Sequence, residues 1–200
     1  MQPTDFLILG ALGLALAACS GFRVFVPLLA ANVAYLSGYL SPSPGFAWLG
    51  TWVAFAVLAT ATLAEMLAYY VPVVDNLLDT LTTPASFIAG TLLMTSALPE
   101  MSPMVRWGLG ILVGGGAAGL VQTGTALLRA GSTATTGGLG NPVLATIENI
   151  LAVVGSLLGL LLPLIMAGLT LVLVLYLAGR IRRRVRRPSP PQAASSPPGR

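Results

Sequence analysis

Residues 63–84 read LAEMLAYYVPVVDNLLDTLTTP, and the reading of this stretch decides the fold. It sets Glu65, Asp75 and Asp79 beside Tyr69, Tyr70, Pro72 and Pro84, in a chain almost free of charge between its ends. On insertion scales an acidic side chain at the centre of a bilayer costs about 2.5 to 3.5 kcal/mol. Three acids in one short stretch therefore point to a polar cavity or a pathway inside a membrane protein.

The rest of the composition agrees. Of the 200 residues, 56% are hydrophobic and 8% charged, and the mean hydropathy is +0.87; a soluble domain is about a quarter charged. The chain has no lysine, and six of its ten arginines lie between Arg180 and Arg187, so the net charge of +4 belongs to the C-terminal end. Basic residues at a membrane edge suit anionic lipid headgroups rather than nucleic acid. With no histidine and one cysteine, Cys19, zinc sites, thiol pairs and imidazole triads are excluded. No resident metal or other cofactor is expected. A carboxylate site for a proton or a hard cation is still allowed.

Upstream of the central stretch, Phe6 to Ala18 is apolar but a little short for the roughly 20 residues that cross a bilayer. Leu16-Ala17-Ala18-Cys19 resembles a lipoprotein processing site, yet MQPTD carries no positive charge and apolar residues soon resume, so a retained first helix is expected. Ser20 to Arg23 interrupts the run, and Val24 to Leu40 continues it with Pro27 in its first turn. This predicts two half-helices or a hairpin with Arg23 at the bend, where Arg23 either snorkels or pairs with an acid of the central stretch. Ser41 to Gly45 is a loop. Phe46 to Ala68 makes a full span, with Trp48 and Trp52 at one end and Tyr69 and Tyr70 at the other.

Pro72 and Pro84 bracket a short segment with an apolar side and a side bearing Asp75, Asp79 and Thr82. That pattern predicts an interfacial or re-entrant helix, with Ala85 to Leu98 a separate piece. Asp75 and Asp79 are one helical turn apart and share a face. Downstream, a turn at Pro99 to Pro103 leads into a glycine-rich span from Val105 to Leu128, whose small residues favour close helix packing. The segment Ala130 to Pro142, AGSTATTGGLGNP, predicts a break with Gly137, Gly138, Gly140 and Pro142 at its centre. Opening a helix there frees backbone groups to bind an ion or polar solute. Glu148 and Asn149 follow as a second polar intrusion. The uncharged run to Gly179 exceeds one crossing, which predicts a break near Pro163.

The expected fold is all-α: a polytopic transmembrane helix bundle of six or seven segments with broken or re-entrant helices over residues 1–179. A basic, Pro/Ser-rich disordered tail over 180–200 lies in the cytoplasm by the positive-inside rule. Each half has an interrupted helix, an arginine near it and an acid on a following helix: Arg23 with Glu65, then Arg129 with Glu148. An inverted repeat is one arrangement this plan allows.

Three blocks, SGFRVFVPLLA (20–30), EMLAYYVPVVDNLLDTLTTP (65–84) and TTGGLGNPVLATIEN (135–149), resemble a bacterial membrane family catalogued as a domain of unknown function, number 4126. The resemblance spans roughly residues 8 to 178 and implies an integral membrane protein without an assigned activity. It supplies no substrate and no catalytic residue.

The functional expectation is a small inner-membrane transporter or channel for a cation or small polar solute, with proton coupling as one form. Glu65, Asp75, Asn76, Asp79, Asn141, Glu148 and Asn149 would line the path, with Arg23 and Arg129 as counter-ions. The alternative is a membrane scaffold or assembly protein whose glycine-rich helices pack against a partner. Either reading leaves a homo-oligomer open. An enzyme is not expected, because no Gly-x-Gly-Asp motif occurs and histidine chemistry is impossible.

Overall fold

The computed structural model describes residues 3–43 and 45–185, with the backbone alone described at 3, 72–77, 181, 184 and 185. The proline-rich end from residue 186 onward lies outside the described residues. Seven helices form the all-helical bundle, and no strand occurs among the described residues. They are α1 (Pro3–Cys19), α2 (Phe25–Leu36), α3 (Trp52–Ala68), α4 (Pro72–Ala97), α5 (Pro103–Thr136), α6 (Asn141–Leu161) and α7 (Pro163–Val185).

Apolar side chains cover the outside of the bundle as well as filling its core. Val53, Leu112 and Val172 are each more than two-thirds exposed, whereas Arg23, Arg129, Ser20, Ser86 and Thr95 are buried. Three stretches, Pro103–Thr136, Asn141–Leu161 and Pro163–Arg180, are long and apolar enough to cross a membrane. An apolar exterior around a core that mixes apolar packing with buried polar groups is what lipid as solvent favours, because only the interior can satisfy those groups.

Helix α1 runs through the middle and packs against α4, α5, α6 and α7. Its residues Ala15 to Cys19 are all buried, which suits a helix that is apolar on every side. Helix α4 corrects the expectation of two pieces, since it continues through Pro84 for 26 residues. At 1.5 Å per residue that is about 39 Å, long enough to cross the hydrocarbon core. A proline withholds one backbone bond, but neighbouring helices and hydroxyl side chains can meet the freed groups. The buried side of α4 is rich in such hydroxyls: Thr82, Ser86, Thr91, Thr95 and Ser96 each donate to a carbonyl three or four residues earlier.

Other boundaries also shift. A 3-10 turn, Ala47–Gly50, precedes α3, and Thr51 Oγ1 caps that helix by accepting from the Ala54 amide at 3.2 Å. The span expected from Phe46 is therefore a 17-residue helix. Within α5, residues Gly110–Gly115 form a π turn that lies against α4. At their crossing a Cβ added to Gly90 would come within 2.6 Å of the Gly114 carbonyl oxygen, and one on Gly114 would collide with Gly90 in turn. Only glycine on both helices allows this approach. Helix α5 reaches Thr136, so the break is confined to 137–140, with Gly137 and Gly138 at φ +63° and +90°. Residue 162 separates α6 from α7, and α7 continues to Val185, beyond the boundary expected at Gly179.

Candidate functional site

The interrupted segment between α1 and α2 delivers Arg23 to the inside of the bundle, where its side chain is fully buried. Its Nη1 pairs with Glu148 Oε2 on α6 at 3.1 Å, its Nε donates to Asn149 Oδ1 at 2.5 Å, and its Nη2 donates to the Ala145 carbonyl at 3.2 Å. A buried guanidinium has five donors to satisfy, and one turn of α6 meets three of its nitrogens. Arg23 therefore neither snorkels nor forms its ion pair with the central stretch; its partner lies 125 positions away in the third block.

Arg129, on α5, completes a chain of charges. Its Nη2 pairs with the same Glu148 oxygen, and its Nη1 pairs with Asp79 Oδ1 on α4 at 2.5 Å. The order Arg23, Glu148, Arg129, Asp79 alternates in sign and sums to zero, which limits the desolvation cost of holding four charges together. Tyr69, at the end of α3, stiffens this chain. Both guanidinium carbons lie over its ring, Arg23 at 3.8 Å and Arg129 at 4.1 Å from the centroid, within the range of a cation–π contact. The Tyr69 hydroxyl donates to Asp79 Oδ1 at 3.3 Å and shares a hydrogen bond with Thr82 Oγ1 at 3.0 Å. Gln122 Nε2 donates to the same Thr82 oxygen at 3.0 Å.

Glu65 is buried beside this chain but does different work. Its Oε1 accepts from the Val24 amide at 2.8 Å and its Oε2 from the Phe25 amide at 3.1 Å. Those are the amides of the N-cap residue and of the first residue of α2, so a carboxylate from α3 caps that helix where a local Ser, Thr or Asp is missing. The cap also fixes the direction in which the chain leaves Arg23.

Of the residues expected from the sequence, Arg23, Asp79, Arg129, Glu148 and Asn149 meet in one network, and Glu65 adjoins it through residues 24 and 25. Asn141 serves the break: its Nδ2 donates to Thr133 Oγ1 at 3.1 Å, tying the start of α6 to the end of α5. Gly137, Gly138 and Gly140 supply the turn, and Pro142 sits in the first turn of α6. Asp75 and Asn76 fall on α4, but their side chains lie outside the described residues. Gln122 and the stacking role of Tyr69 were missed, and Thr82 was placed on the polar side of its segment but given no part in the site. An amide inside the glycine-rich span was the available signal for Gln122. Among the described residues no three of His, Cys, Asp and Glu gather to hold a metal ion; Glu148 and Asp79 are matched by guanidiniums and Glu65 by backbone amides.

The chain belongs to the family whose model, described as "Domain of unknown function (DUF4126)", matches residues 11–183. No curated protein and no solved structure matches it.

Proposed function

We propose that this membrane protein is a small transporter or channel for a cation or small polar solute, with proton coupling as one form, and that the Arg23–Glu148–Arg129–Asp79 chain is its working part. One observation carries this: four charged side chains from separate parts of the fold are held end to end inside a bundle with an apolar exterior. Such groups are rare within membranes and favour ion pathways and relays. Asp79 is the most exposed member, at 15% against 0 to 6% for the others. A proton or cation arriving there competes with Arg129, which then leans on Glu148, which in turn loosens its hold on Arg23. The exchange needs no covalent step, cofactor or resident metal.

By the same reading the protein sits in the inner membrane with its C-terminus in the cytoplasm, because the arginines of 180–187 favour that side and its anionic lipid headgroups. The scaffold alternative drew on the glycine-rich helix. Gly114 on that helix is already used against Gly90 inside the chain, which weakens the case for an external partner there.

The test is flux in proteoliposomes, with monovalent-cation efflux and a pH-sensitive dye as readouts. Asp79→Asn and Glu148→Gln should each lower flux at least tenfold, while Thr60→Ala, on the exposed side of α3, should leave it unchanged. Wild-type flux no greater than that of empty vesicles, or equal flux in all variants, would refute the reading.

A further inference from the structure

Helix α2 has 12 residues, lies between α3 and α6, and packs on both. A groove of about 430 Å³ runs along it between those helices, within the roughly 300 to 1,000 Å³ of small-molecule sites. Ala30 and Val33 of α2, Met66 of α3 and Val153 and Leu157 of α6 line it. Val33 and Leu157 are about half exposed, so the groove opens sideways onto the apolar exterior.

Both ends are bridged by tyrosines. Tyr70, one turn beyond Met66, shares a hydrogen bond with Thr146 Oγ1 at 3.0 Å and accepts from Asn149 Nδ2 at 3.4 Å, which joins α3 to α6. Tyr39, at the other end, donates to the Leu160 carbonyl at 3.3 Å. Between the bridges the lining is hydrocarbon apart from three hydroxyls: Ser37, which donates to the Ala34 carbonyl at 3.1 Å, Ser156, which lies against the Cys19 thiol, and Thr62. Thr62 is 7% exposed and its hydroxyl has no partner. A threonine in a helix ordinarily returns its hydroxyl to the carbonyl four residues back, as its neighbour Thr60 does to Ala56 at 2.8 Å. A buried polar group left unmatched calls for an explanation such as a bound ligand.

We infer that this groove holds one chain of an ester-bearing phospholipid from the surrounding bilayer, with an ester carbonyl oxygen accepting a hydrogen bond from Thr62. The apolar lining and sideways opening admit the hydrocarbon, the two tyrosine bridges set its limits, and the hydroxyl sets the chemistry. The groove adjoins the charge chain without sharing its ion pairs, because Asn149, which holds Arg23, also takes part in the Tyr70 bridge.

Detergent-purified protein titrated with diester phosphatidylglycerol or its diether analogue, with bound lipid counted by native mass spectrometry, tests this. Wild type should hold one diester molecule about three- to tenfold more tightly than the diether, the range one net hydrogen bond carries. Thr62→Val should bring the diester down to the diether level, and Ala30→Phe, which fills the groove, should lose both. Equal retention of the two lipids by wild type would mean an ordinary lipid surface, and unchanged preference in Thr62→Val would mean a site elsewhere. Doubling of the protein mass with loss of lipid would mean a second copy covers the groove. Each of these results overturns the inference.

Discussion

Glu65 and Glu148 have the same side chain and nearly the same burial, 6% and 5% exposed, yet the bundle uses them in different ways. Glu65 meets two backbone amides, whose partial charges stay in place whatever the side chains do. Glu148 meets two full charges on separate elements, Arg23 and Arg129. An acid on amides fixes a helix, whereas an acid shared by two arginines is a junction at which partners can be exchanged. Burial alone does not separate a carboxylate that caps a helix from one that joins two arginines; the identity of the donors does.

Glu148→Gln should break this comparison most strongly. It leaves two buried guanidiniums without their shared anion, and unfolding in mixed micelles should show a loss of about 3 to 5 kcal/mol. Glu65→Gln keeps an oxygen for one of the two amides and strands no opposite charge. The loss there should be about 1 to 2 kcal/mol, as for an impaired helix cap. Equal losses for the two glutamines would erase the distinction. Tyr69→Phe sharpens it at the small end, since the ring stays under both arginines and only the hydroxyl bonds to Asp79 and Thr82 go. About 1 kcal/mol is expected from the same measurement.

Much of the fold was legible because a chain this apolar leaves few choices. The run after Glu148 is too long for one crossing, and the chain breaks beside Pro163; the glycines at 137, 138 and 140 supply the turn they promised. Pro72 opens α4 as expected, but Pro84 misled, because a proline ends a helix in water, whereas a packed, hydroxyl-rich helix such as α4 can carry one through. Thr51 shortened α3 through a cap that aromatic and apolar patterning did not reveal.

The site was legible as a set of residue types and illegible as a set of pairs. Arg23 and Glu148 are both out of place in hydrocarbon, which the sequence shows plainly. That they meet depends on α1, α5 and α6 packing together, and no local period encodes such a contact. Thr82 was legible only as a polar position beside Asp79, and Gln122 not at all, for a related reason: uncharged polar residues are common inside helix bundles, and only their shared bond marks these two.

The central claim is that Arg23 and Glu148 act as one unit inside the bundle. A double-mutant cycle of unfolding free energies, with Arg23→Gln, Glu148→Gln and the pair, measures this directly. Contact should appear as a coupling of about 1.5 to 3 kcal/mol, with the double variant less damaged than the sum of the singles. Additivity within about 0.5 kcal/mol would mean that the two side chains do not interact, and the charge chain with them would fall.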